Sequence, residues 1–262
     1  MTTVNDICEI LENFAPLSYQ ETYDNAGLIL GSRDACLKGV LVCLDVTEPV
    51  IDEAISLGYH MIVSHHPLIF KSLKSITGNT HIESCLVKAI KNDIAIYAGH
   101  TNVDSVYEGV NGKMAEKLGL EQCHILVPAS TGNEAYGLGM VGNLPVGESE
   151  ADFLQRVKKT FHCQRLRHSA LTGKTISKVA LCGGSGSEFI LQARAAGADV
   201  FLTGEARFHE FFTQGQNILL IDAGHYETEQ FTKEVFLDLI SKKLPTFEVR
   251  MSRAEINPVY YL

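Results

Sequence analysis

Short apolar runs alternate with amphipathic stretches along most of the chain. A run of four or five consecutive apolar residues is typical of a strand that is buried on both faces, whereas apolar residues spaced by three and four are typical of a helix. The apolar runs predict strands at residues 40–44, 61–63, 94–98, 139–142, 179–182, 200–203, 218–221 and 247–251.

Helix start and stop signals fall between these runs. Thr47 in the N-cap position, Pro49 in the first turn and Gly58 at the end predict one helix. Ser149 predicts the start of a second helix that runs towards residue 161, and a third is expected over residues 226–243. Because strands and helices alternate, the fold class is predicted to be α/β, or α+β in some schemes.

The chain also contains an internal repeat. Residues 40–66 align without a gap on residues 179–205, so that Cys43 matches Cys182 and Gly58 matches Gly197. Residues 98–104 align on residues 223–229, which places an H-x-x-x-D pattern on an H-x-x-x-E pattern. The two alignments differ in offset by the length of segment 67–80, which is present only in the first copy. We therefore predict two related α/β halves, 1–124 and 125–262, with segment 123–177 preceding the second repeat core.

Composition narrows the class of protein. The 262 residues carry 22 Lys and Arg against 31 Asp and Glu, a formal charge of −9, which disfavours a nucleic-acid partner. The sequence has neither an apolar run of about 18 residues nor a basic N-terminal leader, so a cytoplasmic protein without a membrane partner is expected. Seven cysteines without a C-x-x-C pair are interpreted as buried, reduced thiols.

Candidate chemistry is concentrated at strand ends, where open α/β sheets bind their ligands. Four predicted strands are followed by polar groups: His65 and His66, the segment from His100 to Asp104, Glu205, and the segment from His225 to Glu229. Imidazoles and carboxylates without thiolates suit Zn, Fe, Mn, Co or Ni. These clusters contain enough ligands for two metal ions, with a carboxylate able to bridge them.

Two geometric conditions accompany this interpretation. His225 and Glu229 share a helix face only if a helix begins at His225, and His65 and His66 can both be ligands only if the strand ends before them. Taken alone, a His-His pair is more often a turn and an H-x-x-x-E pattern a solvated pair. His100 and His209 are interpreted as donors to the ligands or as structural histidines; surface or core positions are expected for His60, His81, His124, His162 and His168.

Two further segments have weaker signals. The sequence C-G-G-S-G-S at residues 182–187 resembles a phosphate-binding turn, but a tight turn between strand and helix is the favoured interpretation because the P-loop lysine is missing. Segment 67–80 carries Lys71 and Lys74, which either belong to a lid that attracts an anionic substrate or are simply solvated.

Five motifs are similar to those of the NIF-three-like family, whose bacterial members are called GTP cyclohydrolase I type 2 homologues. They are D-N-A-G-L at 24–28, S-H-H-P at 64–67, G-H-T-N-V-D at 99–104, T-G-E at 203–205 and G-H-Y-E-T-E at 224–229. The resemblance implies the NIF-three-like fold and a toroidal homohexamer. It also implies two divalent transition-metal ions, held by His65, His66, Asp104, His225 and a bridging Glu229.

Two functions are compatible with these candidate metal ligands. The first is a metal-dependent hydrolase that acts on a nucleotide or phosphoester-type substrate, with GTP ring opening as one example and His100 or Glu205 as proton carriers. The second is a non-catalytic protein that stores or delivers metal, or a ring-forming scaffold. The net charge of −9 disfavours long-range attraction of a nucleotide, so capture of a small anionic substrate would depend on the metals and on local lysines.

Overall fold

The chain forms two compact units. The computed structural model describes residues 1–129, 136–213, 215 and 217–262, so residues 130–135 of the predicted segment 123–177 lie outside the described residues. The first unit comprises Met1–Val103 and Thr232–Pro258, and the second comprises Asp104–Phe231 and Val259–Leu262. These bounds differ from the predicted halves, because the C-terminal segment returns to the first unit. The duplication boundary at residue 124 stays a prediction.

One sheet of five strands lies in the first unit. Its strands are β1 (Gly27–Leu30), β2 (Gly39–Cys43), β3 (Met61–Ser64), β4 (Ala95–Ala98) and β11 (Glu248–Met251). They are arranged in the order β1-β4-β3-β2-β11. Strand β1 is antiparallel to β4, and all the other pairs are parallel. The carboxyl ends of β2, β3 and β4 therefore lie at the same edge of this sheet.

Helices cover this sheet on its apolar faces. They are α1 (Val4–Phe14), α2 (Glu48–Leu57), α3 (His81–Lys91) and α9 (Thr232–Lys243). Helices α2 and α3 contribute Ile51 and Leu86 to a core that also contains Leu41 and Ile62 from the strands. Helix α9 packs against β2, β11 and α1. Gly58, in the left-handed conformation at φ 67°, ends α2 as the sequence predicts.

Among the residues that the structure describes, the sheet of the second unit has six strands. They are β5 (Glu121–Pro128), β6 (Gly137–Ser149), β7 (Arg167–His168), β8 (Thr175–Cys182), β9 (Val200–Thr203) and β10 (Leu219–Asp222). The order is β5-β6-β8-β9-β10-β7, and only β8, β9 and β10 are mutually parallel. The long β6 meets β5 and β8 in antiparallel pairs. The sheet is therefore mixed, with a parallel centre.

Helices lie on both faces of the second sheet. They are α5 (Val110–Leu118), α6 (Glu150–Thr160), α7 (Ile190–Ala195) and the short α8 (His225–Glu229). Met114 of α5 and Phe153 of α6 pack with Leu181, while Ala193 of α7 packs with Ala180 in a separate cluster. Because neighbouring residues of β8 face opposite sides, both faces of this strand are buried. Ser149 Oγ accepts a hydrogen bond from the Asp152 amide at 3.2 Å, which confirms the predicted start of α6.

The internal repeat is visible in the topology. In the first unit β2, α2 and β3 form a parallel strand-helix-strand unit in which Cys43 pairs with Ser64. In the second unit β8, α7 and β9 do the same, and Cys182 pairs with Thr203. These are the positions that the sequence alignment matches. A third parallel strand follows in both units, and the prediction of two related α/β arrangements is confirmed.

The C-terminal helix prediction differs in one respect. Instead of one helix over 226–243, α8 ends at Glu229 and α9 begins at Thr232. The break coincides with the change from the second unit to the first. Among the described residues, no helix has the length and apolar character needed to cross a membrane.

Candidate metal centre

Strand β3 ends at Ser64, directly before the two histidines. The amides of His65 and His66 donate to the carbonyls of Cys43 and Leu44 at 3.2 and 2.9 Å, while Ser64 Oγ donates to the His66 carbonyl at 2.8 Å. This turn brings the two rings to a centroid separation of 5.0 Å instead of placing them on opposite faces. The condition that the sequence set for a His-His ligand pair is therefore met.

His65 is completely buried, and its ring orientation is fixed by the backbone. Its Nδ1 lies 2.8 Å from the carbonyl oxygen of Gly99. A carbonyl only accepts hydrogen bonds, so Nδ1 carries the proton and Nε2 is the atom available to a metal. A Cβ at Gly99 would lie 2.9 Å from both Phe236 Cζ and Val103 Cγ2, so packing requires glycine at this position.

A carboxylate fixes the ring of His66 in the same manner. Its Nδ1 lies 2.8 Å from Oδ1 of Asp45, which follows β2 by two residues. A carboxylate that accepts from Nδ1 orients the ring and increases the basicity of Nε2. Asp45 was missed in the sequence, although its place just beyond a predicted strand was the available signal.

Asp24 holds the ring of His100. Its Oδ1 lies 2.7 Å from His100 Nδ1, and its Oδ2 accepts from the Thr101 amide at 3.0 Å and from the Thr101 hydroxyl. Burial alone would raise the pKa of the Asp24 carboxyl, but the hydrogen bonds from His100 and Thr101 outweigh burial and lower its pKa to about 2. Asp24 is therefore a carboxylate, and it holds the proton of His100 on Nδ1.

The three imidazoles converge within the first unit. One ligand nitrogen of each of His65, His66 and His100 lies within 4.8 Å of the corresponding atoms of the other two. The ring of His100 is 5.2 Å from that of His65 and 5.7 Å from that of His66. Each ring has Nδ1 bound to an acceptor, which is the arrangement typical of histidines that bind metal through Nε2.

A histidine and two carboxylates form a second cluster, which lies in the second unit. Helix α8 begins at His225, as the sequence required, and His225 Nε2 lies 2.9 Å from Glu229 Oε2 one turn later. His225 Nδ1 lies 3.1 Å from Oε1 of Glu205, which follows β9. Glu229 is buried, whereas the Glu205 side chain is 58% exposed. The His225 ring thus has a carboxylate at each nitrogen, and His225 with Glu229 offers an imidazole and a carboxylate donor of the kinds that divalent transition metals accept.

The glycine-rich turn after β8 lies against Glu229. A Cβ at Gly184, where φ is +58°, would lie 2.0 Å from Glu229 Oε1. The turn is closed by its own chain, because the Gly184 amide donates to Thr228 Oγ1 at 3.0 Å and the Gly204 amide donates to the Gly184 carbonyl at 3.0 Å. These contacts agree with the favoured interpretation of a tight turn, whose glycines make room for a candidate ligand.

Asp104 is the last residue of the short helix α4 (Thr101–Asp104) and the first residue of the second unit. Its carbonyl accepts from Asn111 Nδ2 at 3.1 Å.

Burial raises the pKa of the Cys182 thiol well above its ordinary value, and the negative charges of Asp104, Glu188 and Glu229 add to this effect. The thiol is therefore protonated beside these carboxylates and is unsuited to bind metal.

The other histidines lie apart from these clusters. The ring of His209 packs against Phe208 and Phe212, with centroid separations of 5.3 and 6.1 Å. The histidines without an assigned role all lie at the surface: His60, His81, His124, His162 and His168. Of the seven cysteines, five are buried as expected, whereas Cys123 is half-buried and Cys36 is exposed. Lys71 and Lys74 are exposed.

Comparison with known proteins agrees with the fold. The family model Duf34/NIF3 (NGG1p interacting factor 3) matches residues 2–258. The chain is 38% identical over 227 residues to a "GTP cyclohydrolase 1 type 2 homolog" of Clostridium acetobutylicum, covering 86% of this chain and 85% of the relative. A relative of the same name in Streptococcus pneumoniae is 32% identical over 98% of this chain and 99% of its own.

A solved structure extends this similarity to three dimensions. The crystal structure of a Bacillus cereus protein related to NIF3 matches 100% of this chain and 99% of its own, with a TM-score of 0.90 and 25% identity. Sequence motifs, family model and fold thus agree over nearly the whole length. The chain belongs to the Duf34/NIF3 family.

Proposed function

We propose that this chain binds two divalent transition-metal ions and acts as a metal-dependent hydrolase on a nucleotide or phosphoester-type substrate. The observation that carries the proposal is the convergence of two candidate ligands, His65 and His66, with a candidate proton carrier, His100, each with Nδ1 bound to an oxygen acceptor. Three ring nitrogens within 4.8 Å of one another are not expected of histidines that only stabilise the fold. The name shared by the relatives, GTP cyclohydrolase 1 type 2 homolog, supports a nucleotide as substrate.

The proposed ligands are His65, His66, Asp104, His225 and Glu229, with Glu229 bridging. Two such ions would supply an activated water and polarise the carbon or phosphorus that it attacks. Residues of the chain itself orient these ligands. Asp45 and the Gly99 carbonyl hold protons on Nδ1 of His66 and His65 and keep both Nε2 atoms available.

His100 is the proposed proton carrier. The buried Asp24 carboxylate keeps its ring fixed and its Nδ1 protonated, so Nε2 can accept a proton while Asp24 stabilises the imidazolium that results. Glu205 is a second candidate, because its exposed carboxylate lies beside His225. The ring of Phe70 lies 6.0 Å from that of His100 on the same side of the site.

Metal analysis of the purified protein tests the ligand assignment. We expect about two equivalents of metal in the wild type and a clear loss in His65→Ala and in His225→Ala. His60→Ala is the matched control, because His60 is an exposed histidine outside both clusters. Unchanged metal content in both ligand variants would refute the assignment.

A turnover assay then separates a hydrolase from a storage, delivery or scaffold protein. The metal-loaded protein is incubated with GTP, other nucleotides and generic phosphoesters. We expect hydrolysis that is lost in Glu229→Gln. Bound metal without turnover of any of these compounds would favour the non-catalytic function, and turnover that persists in Glu229→Gln would indicate a contaminating enzyme.

The proposal includes a homohexameric ring, which rests on the family resemblance. Light scattering coupled to size-exclusion chromatography measures the mass of the assembly directly. A mass close to six times that of the 28.7 kDa chain is expected, and a monomer or dimer would contradict it.

A further inference from the structure

A cavity of about 600 Å³ lies in the second unit, beside the His225 cluster. Its volume is that of a typical small-molecule site. Glu205 connects the cavity with this cluster, because it lines the cavity and its Oε1 lies 3.1 Å from His225 Nδ1. A substrate that reaches the proposed metals can therefore extend into this cavity.

Arg167 presents a fixed guanidinium to the cavity. Its Nη2 donates to the buried Asp222 carboxylate and to the Ala206 carbonyl, the latter at 3.0 Å. The guanidinium also lies over the Phe211 ring at 5.3 Å. Of the five N–H groups of an arginine, the three on Nε and Nη1 have no acceptor among the described residues. The side chain is thus oriented in advance and keeps donors for a ligand.

Arg207 and Ser187 provide further donors. Within the described part of the chain, Arg207 has no carboxylate at ion-pair distance. Ser187 is 6% exposed and lines the cavity, and its hydroxyl has no protein partner in that same part. The hydroxyl faces the cavity and is therefore available as a donor to a ligand oxygen. Two guanidiniums and a hydroxyl are donors that suit an oxyanion.

Three carboxylates limit the charge that this cavity can accept. Glu205 and Glu188 line it, together with Glu210, whose Oε2 accepts from the Arg207 amide at 2.5 Å. The lining carries two arginines against three glutamates, so the arginine donors can hold one compact anion locally, but each further negative charge of a triphosphate would add repulsion from the glutamates. Like charges repel, so this repulsion grows with the number of negative charges on the ligand. The net charge of −9 acts in the same direction.

We propose that this cavity binds a single oxyanion group of the substrate, a phosphate monoester or a carboxylate, through Arg167, Arg207 and Ser187, and that it disfavours a triphosphate. The inference rests on the proposed function, because it concerns the substrate that is hydrolysed at the metals. It restricts the substrate to one that presents a single oxyanion group and no triphosphate.

Isothermal titration calorimetry on the metal-loaded full chain tests the proposal. The probes are inorganic phosphate, guanosine monophosphate, GTP and benzoate. We expect guanosine monophosphate or benzoate to bind at least as tightly as GTP. Whichever of the phosphate and carboxylate probes depends on Arg207 identifies the oxyanion.

Variants localise the binding. Arg207→Gln is expected to weaken binding of that probe tenfold or more, Ser187→Ala about threefold, and Arg167→Lys to weaken it while the pair with Asp222 is kept. Arg194→Gln, an exposed arginine of α7, is the matched control and should bind as the wild type does.

Metal content, measured on every sample, separates this proposal from the function proposed above. If the metal content shows that the ligand assignment is wrong, the effect of Arg207→Gln on phosphate or benzoate binding still tests the cavity independently. The cavity proposal is overturned by equal binding in Arg207→Gln and wild type, by no binding of any probe, or by GTP binding at least tenfold tighter than guanosine monophosphate.

Discussion

Asp24 and His100 are joined by a hydrogen bond of 2.7 Å between carboxylate Oδ1 and ring Nδ1, although they lie 76 residues apart in the chain. The Asp24 side chain is fully buried, while the His100 side chain remains 18% exposed. A buried carboxylate behind a partly exposed imidazole orients the ring and supports a positive charge on it.

We expect Asp24→Asn to lower the activity of the metal-loaded protein about 10- to 100-fold, because the carboxylate that stabilises the His100 imidazolium is lost. Metal content should stay near that of the wild type. Parallel metal analysis and turnover measurements check this, and a loss of metal as large as the loss of activity would make His100 a ligand instead of a proton carrier.

Asp45→Asn should weaken metal binding about 10-fold or more, since Asp45 Oδ1 orients the His66 ring. Competition with a chromogenic chelator measures the affinity. Asp52→Asn is the control, because Asp52 forms an exposed ion pair with Lys88 and lies outside the cluster. Equal affinities in the two variants would show that Asp45 does not support a metal ligand.

Gly184→Ala should displace the Glu229 carboxylate, because the new Cβ would lie 2.0 Å from Oε1. We expect lower metal content and a loss of stability beyond the 1 kcal/mol or so that a left-handed alanine costs. Gly173→Ala separates the two effects, since Gly173 also has a positive φ of +76° but has open space around its Cβ position. Urea unfolding and metal analysis of both variants measure the difference.

Glu83 lies in the first turn of α3, shortly after segment 67–80, and it makes the free energy of unfolding depend on pH. Hydrogen bonds from the Thr77 hydroxyl, the Thr77 amide and the Asn79 amide lower the pKa of this carboxyl from 4.5 to about 2. Because the folded-state pKa is depressed, the stabilisation is fully present above pH 4.5 and is lost as the pH falls through about 2.

We therefore expect Glu83→Gln to be less stable than the wild type at pH 7 and the difference to shrink steadily below about pH 4.5. Thermal unfolding at a series of pH values gives both curves. Parallel curves over the whole acid range would mean that the carboxylate is not held as described.

The parallel strands and their polar ends could be predicted from the sequence, because buried runs such as β3 and β9 have an unambiguous apolar pattern. The His65–His66 pair followed from its place after such a run. Asp24 could not be assigned a role, since it lies in an irregular segment whose position depends on contacts with Thr101. The break between α8 and α9 was missed because the helical pattern continues across residues 230 and 231 while the chain passes between units.

The return of Thr232–Pro258 to the first unit constrains the order in which the nascent chain can fold. Strand β11 pairs with β2, and Glu255 accepts hydrogen bonds from the Leu44 amide and from Lys233, so the first unit lacks a strand until residues 248–255 have been synthesised. All the strands of the second unit precede residue 232 and emerge from the ribosome earlier. Domains fold as units during synthesis, so the half of the protein that starts later completes its sheet first.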